Sequence, residues 1–254
     1  MSSNIWTRCA VDSKRSPIQA LRLAPWRAVE AQHQISTRKL VDTADEQILL
    51  EELIDGAKPP DTTRGRLHYL LSTPFRYPPL RHGSRFGGRY ERGLWYGSES
   101  ARTMFAEVSY YRFVFIAGTQ ADLRPVTTQL TAFTARARSP RGVDLTAPPF
   151  DAFRRTIGSP TSYDGSQALG AAMRAAGVEL FRYPSARDAA RGVNVGIFSP
   201  TVFSAARPRS FETWHCTATR ERVELTKRDY FGRETLVYPR SEFLVKGELP
   251  LPAL

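Results

Sequence analysis

The sequence predicts an α+β fold with a largely antiparallel sheet. Beyond about residue 66, short apolar or alternating segments follow one another between Gly, Pro and charged residues, which is typical of strands joined by turns. Segments with helical periodicity are few, and a chain dominated by strands favours this class. The 254 residues, 41% of them apolar, suffice for one large domain or for one domain with an appendage.

The first predicted element is a helix within residues 38–55, where apolar residues return at helical spacing. Thr43 and Glu46 have the spacing of a capping box, which would begin the helix at that point instead. Gly56 and the proline pair that follows it end the helix.

The segment AKPPDTTRG after this helix has the composition of a linker, which predicts a domain boundary near residue 64. Residues 1–64 are accordingly expected to form a helical extension to which the sequence assigns no role. Residues 65–254 are expected to form the main domain.

Strands and two helices are predicted beyond the boundary. Ser98 is expected to cap a helix that runs to about Tyr111, and Asp164 a helix that ends at Gly177. Strands are predicted over 67–73, 93–96, 112–118, 127–136, 178–183, 193–198, 211–218 and 222–228.

The net charge of +11 and the pI of about 10.0 favour an anionic partner. Nucleic acid, a membrane surface, a phosphorylated small molecule and an acidic protein all fit this charge, and so does a basic surface that only meets solvent. The excess is carried by arginine, whose planar guanidinium group suits bidentate contacts to phosphate or carboxylate.

The two cysteines, Cys9 and Cys216, do not form a C-x-x-C pair, so no metal centre is expected. Two cysteines in a chain of this length are typical of a reduced, cytoplasmic protein. The N-terminal segment lacks the apolar run of a signal peptide, and no apolar stretch is long enough to span a membrane.

Residues 75–108 combine positive charge, glycine and aromatic rings. Such a segment lets guanidinium and backbone groups approach an anion, although an exposed basic loop has the same composition. The glycines form neither a P-loop, because no G-K-[ST] follows, nor a dinucleotide fingerprint. The arginines beside the glycines are Arg76, Arg81, Arg85, Arg89 and Arg92.

Glu107 lies at the edge of the apolar stripe on the helix that is predicted to run from Ser98 to about Tyr111. A carboxylate that is half turned to the core either pairs with a nearby arginine or stands close to a substrate hydroxyl or a developing cation. Tyr77 and Tyr96 are typical core residues, but a buried Tyr96 hydroxyl needs a partner. Ser185 follows a strand and is typical of a turn; no nucleophile elbow or triad signature surrounds it.

Together these segments resemble the RES family, toxins of bacterial toxin–antitoxin pairs that are named for an arginine, a glutamate and a serine. The resemblance extends over roughly residues 66–203. Its motifs are FRYPPL with Arg76 and Tyr77, GSRF with Arg85, LWYG with Tyr96, ARTMFAEV with Glu107 and YPSAR with Ser185; GGRY offers Arg89 as a second candidate for the motif arginine.

The resemblance implies a fold similar to ADP-ribosyltransferases of the diphtheria-toxin type, with the catalytic domain over residues 65–254. It implies that NAD+ is the substrate and that its nicotinamide–ribose bond is cleaved by hydrolysis or phosphorolysis. Phosphate would then be a co-substrate in place of water, and no bound cofactor is expected. A cognate antitoxin protein is the implied partner, while a membrane or a direct nucleic-acid partner is not.

The resemblance also assigns roles to the motif residues. Glu107 would hydrogen-bond a ribose hydroxyl and favour the positive charge that develops on the sugar. Ser185 would orient the ribose or the carboxamide, and Arg85 would hold the diphosphate. The other motif residues would also bind substrate. Arg76 would join Arg85 at the diphosphate, Tyr77 and Tyr96 would contact the nicotinamide end, and Arg89 is a substrate-binding candidate as the alternative motif arginine.

Two other functions compete with NAD+ degradation. A mono-ADP-ribosyltransferase would also release nicotinamide but would transfer ADP-ribose to a protein. The second alternative is a basic nucleic-acid-binding protein. Only the net charge supports this hypothesis, because the sequence shows neither a basic recognition helix nor an RNP-like motif.

Overall fold

The computed structural model describes residues 4–12, 16–31, 41–57, 65–77, 81–121, 124–229 and 232–252. These residues form six α-helices and ten strands. The helices are α1 (Ile5–Asp12), α2 (Ala44–Ala57), α3 (Tyr69–Arg76), α4 (Ala101–Ala117), α5 (Arg154–Ile157) and α6 (Asp164–Ala175). The strands are β1 (Gln19–Leu23), β2 (Trp26–Glu30), β3 (Trp95–Ser98), β4 (Val126–Thr134), β5 (Ala137–Asp144), β6 (Leu180–Pro184), β7 (Val193–Ile197), β8 (Arg209–Ala218), β9 (Arg222–Asp229) and β10 (Gly232–Pro239).

All ten strands belong to one sheet with the order β1-β5-β6-β7-β3-β2-β4-β8-β9-β10. Neighbouring strands run antiparallel except for β5 and β6. The predicted α+β class with a largely antiparallel sheet is therefore confirmed. Among the described helices, none is long and apolar enough to cross a membrane.

The N-terminal segment is not a purely helical extension, contrary to the prediction. β1 pairs with β5, and β2 lies between β3 and β4 in the middle of the sheet. The expected capping box is present: Thr43 Oγ1 accepts from Glu46 N at 3.2 Å and Glu46 Oε2 from Thr43 N at 3.1 Å. The division of the chain near residue 64 stays a prediction.

Two predicted strands are helical. Residues 69–76 form α3, in which His68 Nδ1 accepts from Leu70 N at 3.3 Å and Leu71 and Phe75, four residues apart, are buried together. Residues 112–117 continue α4 past the predicted end at Tyr111. A short apolar run does not distinguish a strand from a buried helix, and burial of one helical face decides the outcome here.

The N-terminus of α4 is set by Ser100 and not, as predicted, by Ser98. Ser100 Oγ accepts from Thr103 N at 3.1 Å, while Ser98 belongs to β3. The 17-residue helix then packs against the sheet through rings such as Phe105, whose centroid lies 4.7 Å from that of Trp214. Trp214 lies on β8, and α4 also contacts β2 and β3.

Candidate active site

A cavity of about 290 Å³ opens where β2 and β3 separate. Among the described residues, the two strands pair only through Trp26 and Ser98. A Cβ at Gly97 would lie 2.7 Å from Trp26 O, so glycine permits this close approach. Past this pair, both strands line the cavity, and one stripe of α4 covers it. The residues of that stripe are Met104, Glu107, Val108 and Tyr111.

Glu107 is held in the cavity by hydrogen bonds to one of its two carboxylate oxygens. Its Oε1 accepts from Ser185 Oγ at 2.7 Å and from Asn194 Nδ2 at 2.5 Å. Its Oε2 accepts no hydrogen bond from any residue that the structure describes. The carboxylate is thus fixed in orientation and presents one oxygen for a further donor.

Ser185 acts on the site through Glu107. Its hydroxyl donates to Glu107 and accepts from the backbone N–H groups of Arg187 and Asp188, each at 3.1 Å. Ser185 is not among the residues that line the cavity. Ser185 thus contacts Glu107 from outside the cavity, and a positioning role for this serine stays a prediction.

Asn194 was not singled out from the sequence. Its Oδ1 accepts from Ser98 Oγ at 2.6 Å, so a buried chain of hydrogen bonds runs from β3 through β7 to Glu107. The available sequence signal was a polar residue inside the apolar segment VNVGI. In the structure this side chain is 2% exposed and hydrogen-bonded through both Oδ1 and Nδ2.

Arg85 lines the cavity and is 8% exposed. Its guanidinium group stacks on Tyr163 at 4.7 Å from the ring centroid and donates through Nη1 to Ser159 O at 2.8 Å. It forms no ion pair with a described carboxylate. The group is therefore a buried cation that would gain from an anionic ligand.

Tyr96 positions the loop that carries Arg85. Its hydroxyl accepts from Phe86 N at 3.0 Å and lies 3.0 Å from Ser84 Oγ. Burial raises the pKa of this hydroxyl to about 12, so it stays protonated at neutral pH. The ring of Phe86, the residue after Arg85, makes edge-to-face contacts with Phe181 and Tyr183.

We expect Tyr96→Phe to lower the free energy of unfolding by about 2 kcal/mol, because the buried Phe86 N–H would lose its acceptor. Urea denaturation checks this change. Tyr90→Phe is the matched control, since Tyr90 is 84% exposed and its substitution should leave stability unchanged. Equal stabilities of the two variants would contradict the role of Tyr96.

Arg27, on β2, is the second arginine of the cavity, and sequence analysis missed it. Its Nη1 donates to Tyr96 O at 2.7 Å, and its guanidinium group lies 5.2 Å from the ring centroid of Trp95. The Nε atom is enclosed without a hydrogen-bond partner, and no described carboxylate pairs with this arginine. Desolvation by burial lowers the pKa of Arg27 to about 10, which leaves it charged at neutral pH.

Besides Ser185, three predicted site residues do not line the cavity: Arg76, Tyr77 and Arg89. Arg76 stacks against Tyr77, which is 38% exposed, and Arg89 contacts Tyr90 on the outside of the loop. Of the two candidate motif arginines, only Arg85 reaches the cavity. The site thus brings together Arg85, Tyr96 and Glu107 from the prediction, with Ser185 behind Glu107.

The fold and the cavity define an α+β protein with a fixed carboxylate and two arginines around one pocket. The model of the RES domain matches residues 60–219, more than half of the chain, and the chain belongs to the RES family. Arg27 lies outside the matched residues. A comparison with curated proteins gave no match.

A similar solved structure is the crystal structure of the M. tuberculosis MbcT–MbcA toxin–antitoxin complex. The identity is 14%, the TM-score is 0.46, and the alignment covers 85% of this chain and 92% of the other.

Proposed function

We propose that the chain is a toxin that degrades NAD+ by cleaving its nicotinamide–ribose bond. The observation that carries the proposal is the set of contacts of Glu107: Oε1 accepts from Ser185 and Asn194, Oε2 accepts from no described residue, and Glu107 lines a cavity that Arg27 and Arg85 also line. Family membership supports the same substrate.

The chemistry of the bond suits a single fixed carboxylate. Nicotinamide leaves as a neutral molecule from a cationic pyridinium, so the step needs no general acid. The barrier is the formation of an oxocarbenium-like ribose, which a nearby carboxylate stabilises. Oε2 of Glu107 would accept a hydrogen bond from a ribose hydroxyl and place its negative charge beside the sugar.

The two arginines suit the diphosphate of NAD+. Both arginines line one cavity, and neither forms an ion pair with a described residue. Two anionic phosphates would satisfy both cations through charge-assisted hydrogen bonds. In this proposal Arg27 takes the diphosphate-binding role that the sequence had suggested for Arg76.

The acceptor of the ribosyl group is water or phosphate. Similarity to the ADP-ribosyltransferase fold remains part of the proposal. A cognate antitoxin partner is proposed from the family, and the charge of +11 suits an acidic surface on that partner.

The test of the proposed function is incubation of the purified chain with NAD+, with and without phosphate, followed by product analysis. Free nicotinamide together with ADP-ribose or its 1-phosphate supports the proposal. Intact NAD+ beside a folded protein would contradict it. ADP-ribose attached to proteins of a lysate would favour the transferase instead.

Ser185→Ala should lower kcat for NAD+ cleavage by about tenfold and leave KM nearly unchanged, because Glu107 loses one hydrogen bond but remains in place. Steady-state kinetics measures this split, with the exposed Ser204→Ala as control. Complete loss of turnover in a folded Ser185→Ala protein would indicate a nucleophile and contradict the positioning role.

A further inference from the structure

A second cavity of about 220 Å³ adjoins the first on its outer side. The two cavities share three lining residues, Ala28, Val108 and Tyr111, so they form one continuous groove between β2 and α4. The inner part contains Glu107, and the outer part ends at an ion pair. Nothing in the proposed mechanism uses the outer cavity.

The residues that line the outer cavity suit a flat heteroaromatic ring. Leu130 is buried and, with the shared alanine and valine, supplies apolar surface. Tyr111 is 56% exposed and offers a ring for stacking. The pair of Arg112 Nη2 and Glu30 Oε1, 2.8 Å apart, adds a polar edge with both donors and acceptors. Nucleobases combine such a flat apolar face with a polar edge.

The two cavities lie in an order that suits a dinucleotide. Glu107 lines only the inner cavity, and Ala28, Val108 and Tyr111 line both. A dinucleotide whose reacting ribose lies beside Glu107 would extend its second nucleoside along the shared residues into the outer cavity.

We propose that the outer cavity binds the adenine end of NAD+, with the base stacked on Tyr111. This inference rests on the proposed function and adds a location for the half of the substrate that does not react. Because Tyr111 would contact that half, its contribution should depend on whether the substrate carries an adenylate.

The test compares NAD+ with nicotinamide mononucleotide, which has the same scissile bond but no adenylate. Tyr111→Ala should lower kcat/KM for NAD+ by about tenfold, the loss expected for one base–aromatic stack. Cleavage of the mononucleotide should change much less. Tyr111→Phe keeps the ring and should keep the wild-type ratio of the two substrates.

Phe115→Ala is the matched control, since this ring lies one helical turn further along α4, is 62% exposed and lines neither cavity. An equal loss for both substrates in Tyr111→Ala, or no loss for either, would overturn the adenine site while the proposed function stands. A wild-type protein that cleaves neither substrate would overturn the proposed function and the adenine site with it.

Discussion

Glu107→Gln is expected to reduce kcat/KM for NAD+ by about 10³-fold without unfolding the protein. The substitution keeps the shape of the side chain and an oxygen that can accept from Ser185 and Asn194. It replaces the negative Oε2 with a neutral NH2 group, which donates a hydrogen bond where the ribose hydroxyl needs an acceptor. The charge that would stabilise the sugar cation is lost in the same step.

The measurement is the rate of nicotinamide release, together with a thermal melt that shows an unchanged fold. Glu248→Gln is the matched control, because Glu248 is exposed and lines neither described cavity. The control should turn over NAD+ at the wild-type rate. Turnover by a folded Glu107→Gln protein at a comparable rate would remove this carboxylate from the mechanism.

The part of the site that could be predicted is the part with local sequence signals. Glu107 lies on a helix whose apolar stripe is visible in the sequence, and Arg85 belongs to a short motif with a glycine turn. Gly83 has a φ of +74°, and a Cβ there would lie 2.4 Å from Gly87 O. The turn therefore needs glycine, and its spacing to the arginine is readable from the chain.

The part that could not be predicted depends on long-range pairing. β2 has the sequence WRAVE, which is too short and too polar for a strand signal, and its place between β3 and β4 is set by partners about 70 and 100 residues away. β5, with the sequence ARSPRGVD, likewise lacks the usual alternation. Arg27 reaches the cavity only through this sheet order, so no local pattern identifies it.

The wrong prediction of a strand in the second half of α4 has a different cause. The segment RFVFIA has the composition of a strand when it is considered alone. In the structure its Phe113 and Ile116 continue a buried stripe that contains Tyr110, one turn before Phe113, and Ala106, two turns before it. The period of the longer segment, and not the composition of the short one, decides that it is helical.

The second large effect is expected at Arg27. Arg27→Met should lower kcat/KM for NAD+ by about 10²-fold, mainly through KM, because a charge-assisted hydrogen bond between the diphosphate and a buried cation is lost. Nicotinamide release over a range of NAD+ concentrations separates the two constants. Arg22→Met is the matched control, since Arg22 is exposed and lies on β1, which is an edge strand of the sheet.

Stability distinguishes a binding role for Arg27 from a structural one. An arginine that mainly supports the fold would cost stability when it is replaced, whereas a desolvated cation without a described counterion opposes folding until an anion binds. We therefore expect Arg27→Met to keep the free energy of unfolding within about 1 kcal/mol of the wild type, even though its bond to Tyr96 O is lost. NAD+ should also raise the melting temperature of the wild type more than that of the variant. A strongly destabilised Arg27→Met protein with an unchanged KM would instead make Arg27 part of the scaffold and leave Arg85 as the arginine that binds the diphosphate.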